Sequence, residues 1–181
     1  YLDAARAGTL LHKDIENYLL DKPVNNSSVE FKYYQKFLQD YYLRPYKVEW
    51  RITDTKHHLS GCIDALMYDK NGKLLLLDWK RVSKFTHCSS KKAITPCIAN
   101  LSDCNFVKYA LQLNAYEFLL KSTHNIHIDG MAIVQLHPSR ASYKVLRVPD
   151  YENEIKRMLE CHVNDAASNS TNRKRAREYR L

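Results

Sequence analysis

Residues Gly61–Lys80 read GCIDALMYDKNGKLLLLDWK, a segment that predicts a β-hairpin. Two apolar segments suited to β-strands flank a polar turn at 69–73. The turn fits a three-residue hairpin loop, in which a type I turn is followed by Gly72 in the left-handed region. In that register Asp64 falls directly opposite Asp78. A two-residue Asn-Gly turn would shift the register by one residue and send the two aspartates to opposite faces.

The paired aspartates are the most unusual feature of this hairpin. Their Cβ atoms would lie about 5 Å apart on one face, with Lys80 on the same face. Like charges placed in this way repel, and the apolar run at 74–77 weakens their solvation. A divalent cation between the carboxylates would remove the repulsion, because Mg²⁺ and Mn²⁺ prefer oxygen ligands. The alternative is a hairpin whose acids lie at a solvated rim and pair with Lys80.

Length and composition narrow the class of protein. A chain of 181 residues with 45% hydrophobic residues can form one globular domain, with or without a tail. The net charge of +8 favours a polyanionic partner such as nucleic acid. Five cysteines without regular spacing argue against a disulfide scaffold and for a reducing compartment. No apolar run of membrane-spanning length is present, so we expect an intracellular, soluble protein without a membrane partner; nucleus, cytoplasm and organelle all stay open.

Hydrophobic periodicity predicts an α/β domain with a central mixed β-sheet flanked by helices. We expect this domain to occupy residues 1–163. Thr9 is a candidate N-cap for the well-patterned part of the first helix. The predicted helices lie at 3–21, 29–43, 106–121 and 150–163, and the predicted strands at 46–53, in the two arms of the hairpin, at 126–136 and at 142–148.

Two segments fall outside this pattern. Residues 84–105 form a loop or insertion, in which His87 and three cysteines (Cys88, Cys97 and Cys104) could hold zinc; their spacing matches no usual zinc site, which favours free thiols. Residues 164–181 read as a basic, disordered tail. Its cluster at 173–177 suits nuclear localisation, a nonspecific DNA contact or a merely solvated end.

Four short motifs follow one another along the chain: GTLLH at 8–12, GCID at 61–64, DWK at 78–80 and QLNAY at 112–116. In this order the chain resembles the PD-(D/E)XK nuclease superfamily. The resemblance is to its RecB-like branch, which includes nuclease modules of helicase–nucleases, Cas4-like proteins and the mitochondrial genome maintenance exonuclease. It spans roughly residues 8–137 and implies a restriction-endonuclease-like core. Segments around the last two motifs are also similar to members encoded by large DNA viruses.

The resemblance implies a role for each matching residue. Asp64 and Asp78 would ligate the metal together with the backbone carbonyl of Trp79, and His12 would be a further ligand, favouring Mn²⁺ alongside Mg²⁺. Lys80 would position the attacking water, so Asp64, Asp78 and Lys80 form the expected catalytic set. The residues expected to support the site or contact the substrate are Gln112, Tyr116, Arg81 and Glu16, with Glu49 as a further accessory acid.

The implied activity is metal-dependent hydrolysis of DNA phosphodiesters, most simply by an exonuclease acting on single strands or DNA ends. A structure-specific endonuclease for flaps or junctions and a catalytically silent nucleic-acid-binding module of the same fold remain alternatives. Replication or repair proteins are candidate partners besides DNA. Some RecB-like members carry an iron–sulfur cluster held by one early and three late cysteines. Here Cys161 alone follows Tyr116, so we expect no cluster.

Overall fold

The computed structural model describes residues 2–162, which form a five-stranded sheet with helices on both faces. The predicted α/β class, with a mixed sheet flanked by helices, is confirmed. The sheet has the order β1-β2-β3-β4-β5, and all neighbouring strands are antiparallel except the parallel pair β3–β4. In chain order the elements are α1 (Leu2–Leu19), α2 (Val29–Tyr41), β1 (Arg44–Asp54), β2 (Leu59–Tyr68), β3 (Leu74–Lys80), α3 (Asn105–His124), β4 (Gly130–Gln135), β5 (Lys144–Arg147) and α4, which covers 152–162 of the described residues.

The hairpin between β2 and β3 has the predicted register. Ala65 pairs with Leu77 and Tyr68 with Leu74. In the turn, the N–H of Gly72 donates to the Asp69 carbonyl at 3.0 Å, and Gly72 has a φ of 78°. A side chain is strained at such a φ, so glycine suits this position. The three-residue loop is therefore confirmed over the two-residue alternative.

The two faces of the sheet bury separate apolar cores. Residues of α3, such as Leu113 and Leu120, pack against Leu66 and Leu76 on one face. On the other face, α1 and α2 cover Trp79, a residue that is 1% exposed. Burying large apolar side chains on both sides makes β3 the most enclosed strand and fixes the position of its ends.

The helix boundaries correct two expectations. Thr9 is not an N-cap: it lies inside α1, and its hydroxyl donates to the Ala5 carbonyl at 3.2 Å. The second helix ends at Tyr41 rather than at 43, because Tyr42 adopts a left-handed conformation as its C-cap. Its start is capped by Ser28, whose hydroxyl accepts the N–H of Phe31.

The segment after β3 is irregular, as predicted, but contains a short 3₁₀-helix, Pro96–Ile98, and a bridge between Lys92 and Ser102. The strand predicted at 126–136 is shorter and covers Gly130–Gln135; just before it, the Asp129 carboxylate accepts the N–H of Leu74 at the start of β3. The predicted tail at 164–181 lies outside the described residues. None of the helices within residues 2–162 has the length and apolar character needed to cross a bilayer.

Candidate metal centre

The site begins where β2 and β3 stop pairing. The last pair of their ladder is Ala65 with Leu77, and each of these residues is the sequence neighbour of one of the two aspartates. Beyond that point the N–H of Trp79 donates to the carboxylate of Asp64 at 2.9 Å instead of to the backbone of β2. The Asp64 carboxylate therefore lies in the gap between the separating strands. Asp78, on the other side of this gap, accepts a hydrogen bond from Lys80 at 2.8 Å.

His12 reaches the same gap from α1. The helix buries its neighbours Leu11 and Ile15 in the core beside Trp79, which leaves the imidazole over the end of β3. His12 Nε2 lies 2.8 Å from the Trp79 carbonyl oxygen. Because a carbonyl only accepts, that nitrogen carries the proton in a neutral ring, and Nδ1 keeps a free lone pair. Nδ1 lies 3.5 Å from Asp64 Oδ2, so two electron-pair donors face one another.

Burial determines the electrostatics of this site. It raises the pKa of Asp64 well above its usual range, and the neighbouring Asp78 raises it further, whereas Lys80 lowers it. Burial also raises the pKa of Asp78, against the lowering effect of Lys80. Burial alone would lower the pKa of Lys80, but the two carboxylates raise it above its usual value. Burial and Lys80 both lower the pKa of His12, which favours the neutral, ligating form of the ring.

The residues present fit a divalent cation. Asp78 Oδ2 is buried and has no hydrogen-bond partner within residues 2–162, an arrangement that costs free energy unless another group fills it. A cation would also stabilise the His12 Nδ1 lone pair and the Asp64 carboxylate, which face one another at 3.5 Å. Carboxylate oxygens and the Nδ1 nitrogen of His12 form a donor set suited to Mn²⁺ or Mg²⁺. The Trp79 carbonyl accepts the Nε2–H of His12, on the side of the ring away from Nδ1.

A third acid comes close to this set. His12, Glu49 and Asp64 each present one ligand atom, and these atoms lie within 4.8 Å of one another. Within residues 2–162, no other group of three or more His, Cys, Asp or Glu side chains reaches this proximity. The zinc alternative for His87 and the loop cysteines is therefore not supported, and the His87 ring instead lies 4.4 Å from that of Phe106.

The α3 side of the site is built by Gln112 and Tyr116. Gln112 donates to the Tyr116 hydroxyl at 2.8 Å, which orients the phenol. Burial raises the pKa of Tyr116, and the charges of Asp78 and Asp64 add to this effect. The ring fits against β2 because Gly61 lacks a side chain: a Cβ there would lie 2.3 Å from Tyr116 Cε1. The motif glycine thus makes room for the motif tyrosine.

Two further predicted residues have other partners. Arg81 donates to Glu30 of α2 at 2.8 Å in a largely buried ion pair, which a sequence without contact information does not reveal. Glu16 lies one helical turn from His12 and pairs with Lys13 at 2.7 Å. A residue with no predicted role also borders the site: the Tyr109 ring lies 4.8 Å from Lys80 Nζ, in a cation–π contact that holds the ammonium.

Comparisons with known proteins leave the family open. No protein-family model matches the chain, and no curated protein matches it. Among solved structures, the crystal structure of SSO0001 is similar, with a TM-score of 0.35 and 17% sequence identity. The similarity covers 74% of this chain and 56% of that one, so the chain spans a little over half the length of this neighbour.

Proposed function

We propose that this protein is a metal-dependent nuclease that hydrolyses DNA phosphodiester bonds and acts on single strands or DNA ends. The observation that supports this most is the convergence of His12, Asp64 and Asp78 beside the partly buried Lys80. Three segments that are well separated in sequence bring these side chains to one gap in the sheet. Three of the four motifs that resemble the PD-(D/E)XK superfamily, GTLLH, GCID and DWK, supply these residues.

Different residues of the chain would bind the cation and act on the substrate in such a reaction. His12, Asp64 and Asp78 would hold Mg²⁺ or Mn²⁺, with the Trp79 carbonyl orienting the His12 ring through its Nε2–H. A bound divalent cation would supply Lewis-acid activation of the phosphate and lower the pKa of a water molecule. Lys80, held by Asp78 and by the face of Tyr109, would orient that water and offset negative charge developing on the phosphate.

The proposed substrate follows from charge and surface composition. The net charge of +8 favours a polyanion, and phosphate contacts dominate affinity for nucleic acids. Exposed tyrosines near the start of β1, including Tyr42 at 69% exposure and Tyr46 at 43%, offer stacking surfaces of the kind that bind unpaired bases.

Cleavage of end-labelled single-stranded DNA with Mg²⁺, Mn²⁺ or EDTA tests the proposal. We expect cleavage with either cation, none with EDTA, and none in Asp78→Ala or Lys80→Ala variants that fold normally. Full activity in both variants would contradict the assignment. A circular single strand separates the two modes of cutting, because an exonuclease leaves it intact and an endonuclease does not.

A further inference from the structure

We infer that Glu49 is a direct ligand of the proposed cation, so that the metal centre extends onto β1. This inference rests on the proposed function and adds to the ligand set a residue that none of the four motifs contains. Glu49 lies on β1, which neighbours β2 with Asp64, whereas Asp78 lies on β3 at the other side of β2.

The backbone at Glu49 is the first observation. Five non-glycine residues between 2 and 162 have positive φ, and four of them, Asp21, Tyr42, His58 and Asn125, lie in turns or at helix ends. Glu49 is the exception: it has a φ of 46° inside β1. A left-handed residue within a strand is unfavourable and persists where the surrounding structure requires it, often at a functional site.

The position across the sheet is the second observation. Val48 pairs with Ala65 and Trp50 with Ile63, so Glu49 and Asp64 lie opposite one another between these pairs. Carboxylates directly opposite on neighbouring strands repel. Together with Asp78 on β3, they form a row of three acids across three adjacent strands.

The chemistry of the row indicates what it would hold. Glu49, His12 and Asp64 have ligand atoms within 4.8 Å of one another, and Asp78 adds a buried oxygen without a partner among the described residues. The Cys62 thiol donates to Glu49 Oε2 at 3.4 Å. With all three acids ionised and Lys80 protonated, the row has a net charge of −2, which a single divalent cation balances.

Isothermal titration calorimetry of the full chain with Mn²⁺ tests the inference without measuring catalysis. The variants are Glu49→Gln, Glu49→Gly and, as a matched control, Glu152→Gln, which removes an exposed carboxylate of α4 that pairs with Lys121 and Lys156. We expect Glu49→Gln to weaken Mn²⁺ binding at least tenfold and Glu152→Gln to leave it unchanged.

Glu49→Gly separates a ligand from a structural residue. It removes the carboxylate and relieves the left-handed backbone, so we expect weaker Mn²⁺ binding together with a melting temperature, measured in EDTA, at or above that of the wild type. Wild-type affinity in both Glu49 variants would overturn the inference while leaving the proposed function intact. A wild-type chain that binds no Mn²⁺ would overturn both.

Discussion

Asp64 accepts the backbone N–H of Trp79 at 2.9 Å, so an acid side chain takes the place that a neighbouring strand would normally occupy. This contact holds the carboxylate in the gap between β2 and β3, where His12 meets it from α1. One side chain thus closes the end of the hairpin and forms part of the proposed cation site.

Replacing Asp64 by Asn separates these two roles. The amide oxygen can still accept the Trp79 N–H, while the loss of a buried charge next to Asp78 relieves repulsion. We expect a melting temperature in EDTA close to or above the wild-type value. Mn²⁺ at a hundred times its Kd should increase the free energy of unfolding of the wild type by about 2.7 kcal/mol. The melting temperature of the wild type should rise accordingly. Asp64→Asn should lose this increase, and an increase equal to that of the wild type would contradict the ligand role.

Lys80 is expected to act on the reaction and not on metal binding. In Lys80→Met the cation site keeps its ligands, but no ammonium remains to orient water or to offset charge on the phosphate. We expect Mn²⁺ binding to survive and single-strand cleavage to fall by about 10²–10³-fold or more. Calorimetry and a cleavage assay on the same preparation check both halves, and parallel loss of binding and cleavage would count against this division.

Two motif glycines give a matched pair of substitutions. A Cβ at Gly61 would overlap the Tyr116 ring, whereas a Cβ at Gly8 meets nothing within 4 Å. We expect Gly61→Ala to displace Tyr116 and to lower both stability and cleavage. Gly8→Ala, inside α1, should raise stability by roughly 0.5–1 kcal/mol through helix propensity. Urea denaturation of both variants measures the contrast, and equal effects would contradict the packing argument.

For the ion pair between Arg81 and Glu30, we expect single substitutions to destabilise the protein more than the double substitution does. Removing one partner leaves the other charge largely buried, so Glu30→Gln should destabilise the protein by about 3–5 kcal/mol. Replacing both residues by apolar side chains of similar size should cost much less. Urea denaturation of the two single variants and the double variant measures the coupling. If Arg81→Met leaves stability unchanged but weakens DNA binding, the phosphate-contact role expected from the sequence gains support over the anchoring role.

We expect Asp54, which lies away from the candidate site, to make the stability of the fold depend on pH. Its carboxylate accepts hydrogen bonds from the backbone of Lys56 and from His57, and the bond with the His57 ring is the main reason its pKa lies below the usual value. A lowered pKa stabilises the fold above the unfolded value of about 3.9 and ceases to do so as the pH falls through the folded value. We expect Asp54→Asn to lose about 1–3 kcal/mol near pH 6. The difference from the wild type should shrink below pH 4 in urea titrations.

The parts of this structure that the sequence predicted are those set by residues close together in the chain. The turn residues and Gly72 specify the hairpin register, and helical spacing places Gln112 and Tyr116 on one face of α3. The end of the ladder before Asp64, the left-handed Glu49 and the Arg81–Glu30 pair were not predicted. The Arg81–Glu30 pair joins segments 51 residues apart, and the other two are backbone irregularities within a hairpin and a strand; no period or motif records either kind of feature. Glu49 was foreseen as an accessory acid but not as a neighbour of both His12 and Asp64.

The spacing of contacts at β3 has a consequence for how the protein folds. The Asp64–Trp79 bond spans 15 residues, whereas the His12–Trp79 contact spans 67, and β4 joins β3 in parallel after the whole of α3. Short loops close with less entropic cost than long ones, so the hairpin can form early while α1 and β4 dock late. In a refolding experiment, amide protection in β2 and β3 should therefore precede amide protection in β4 and assembly of the proposed cation site.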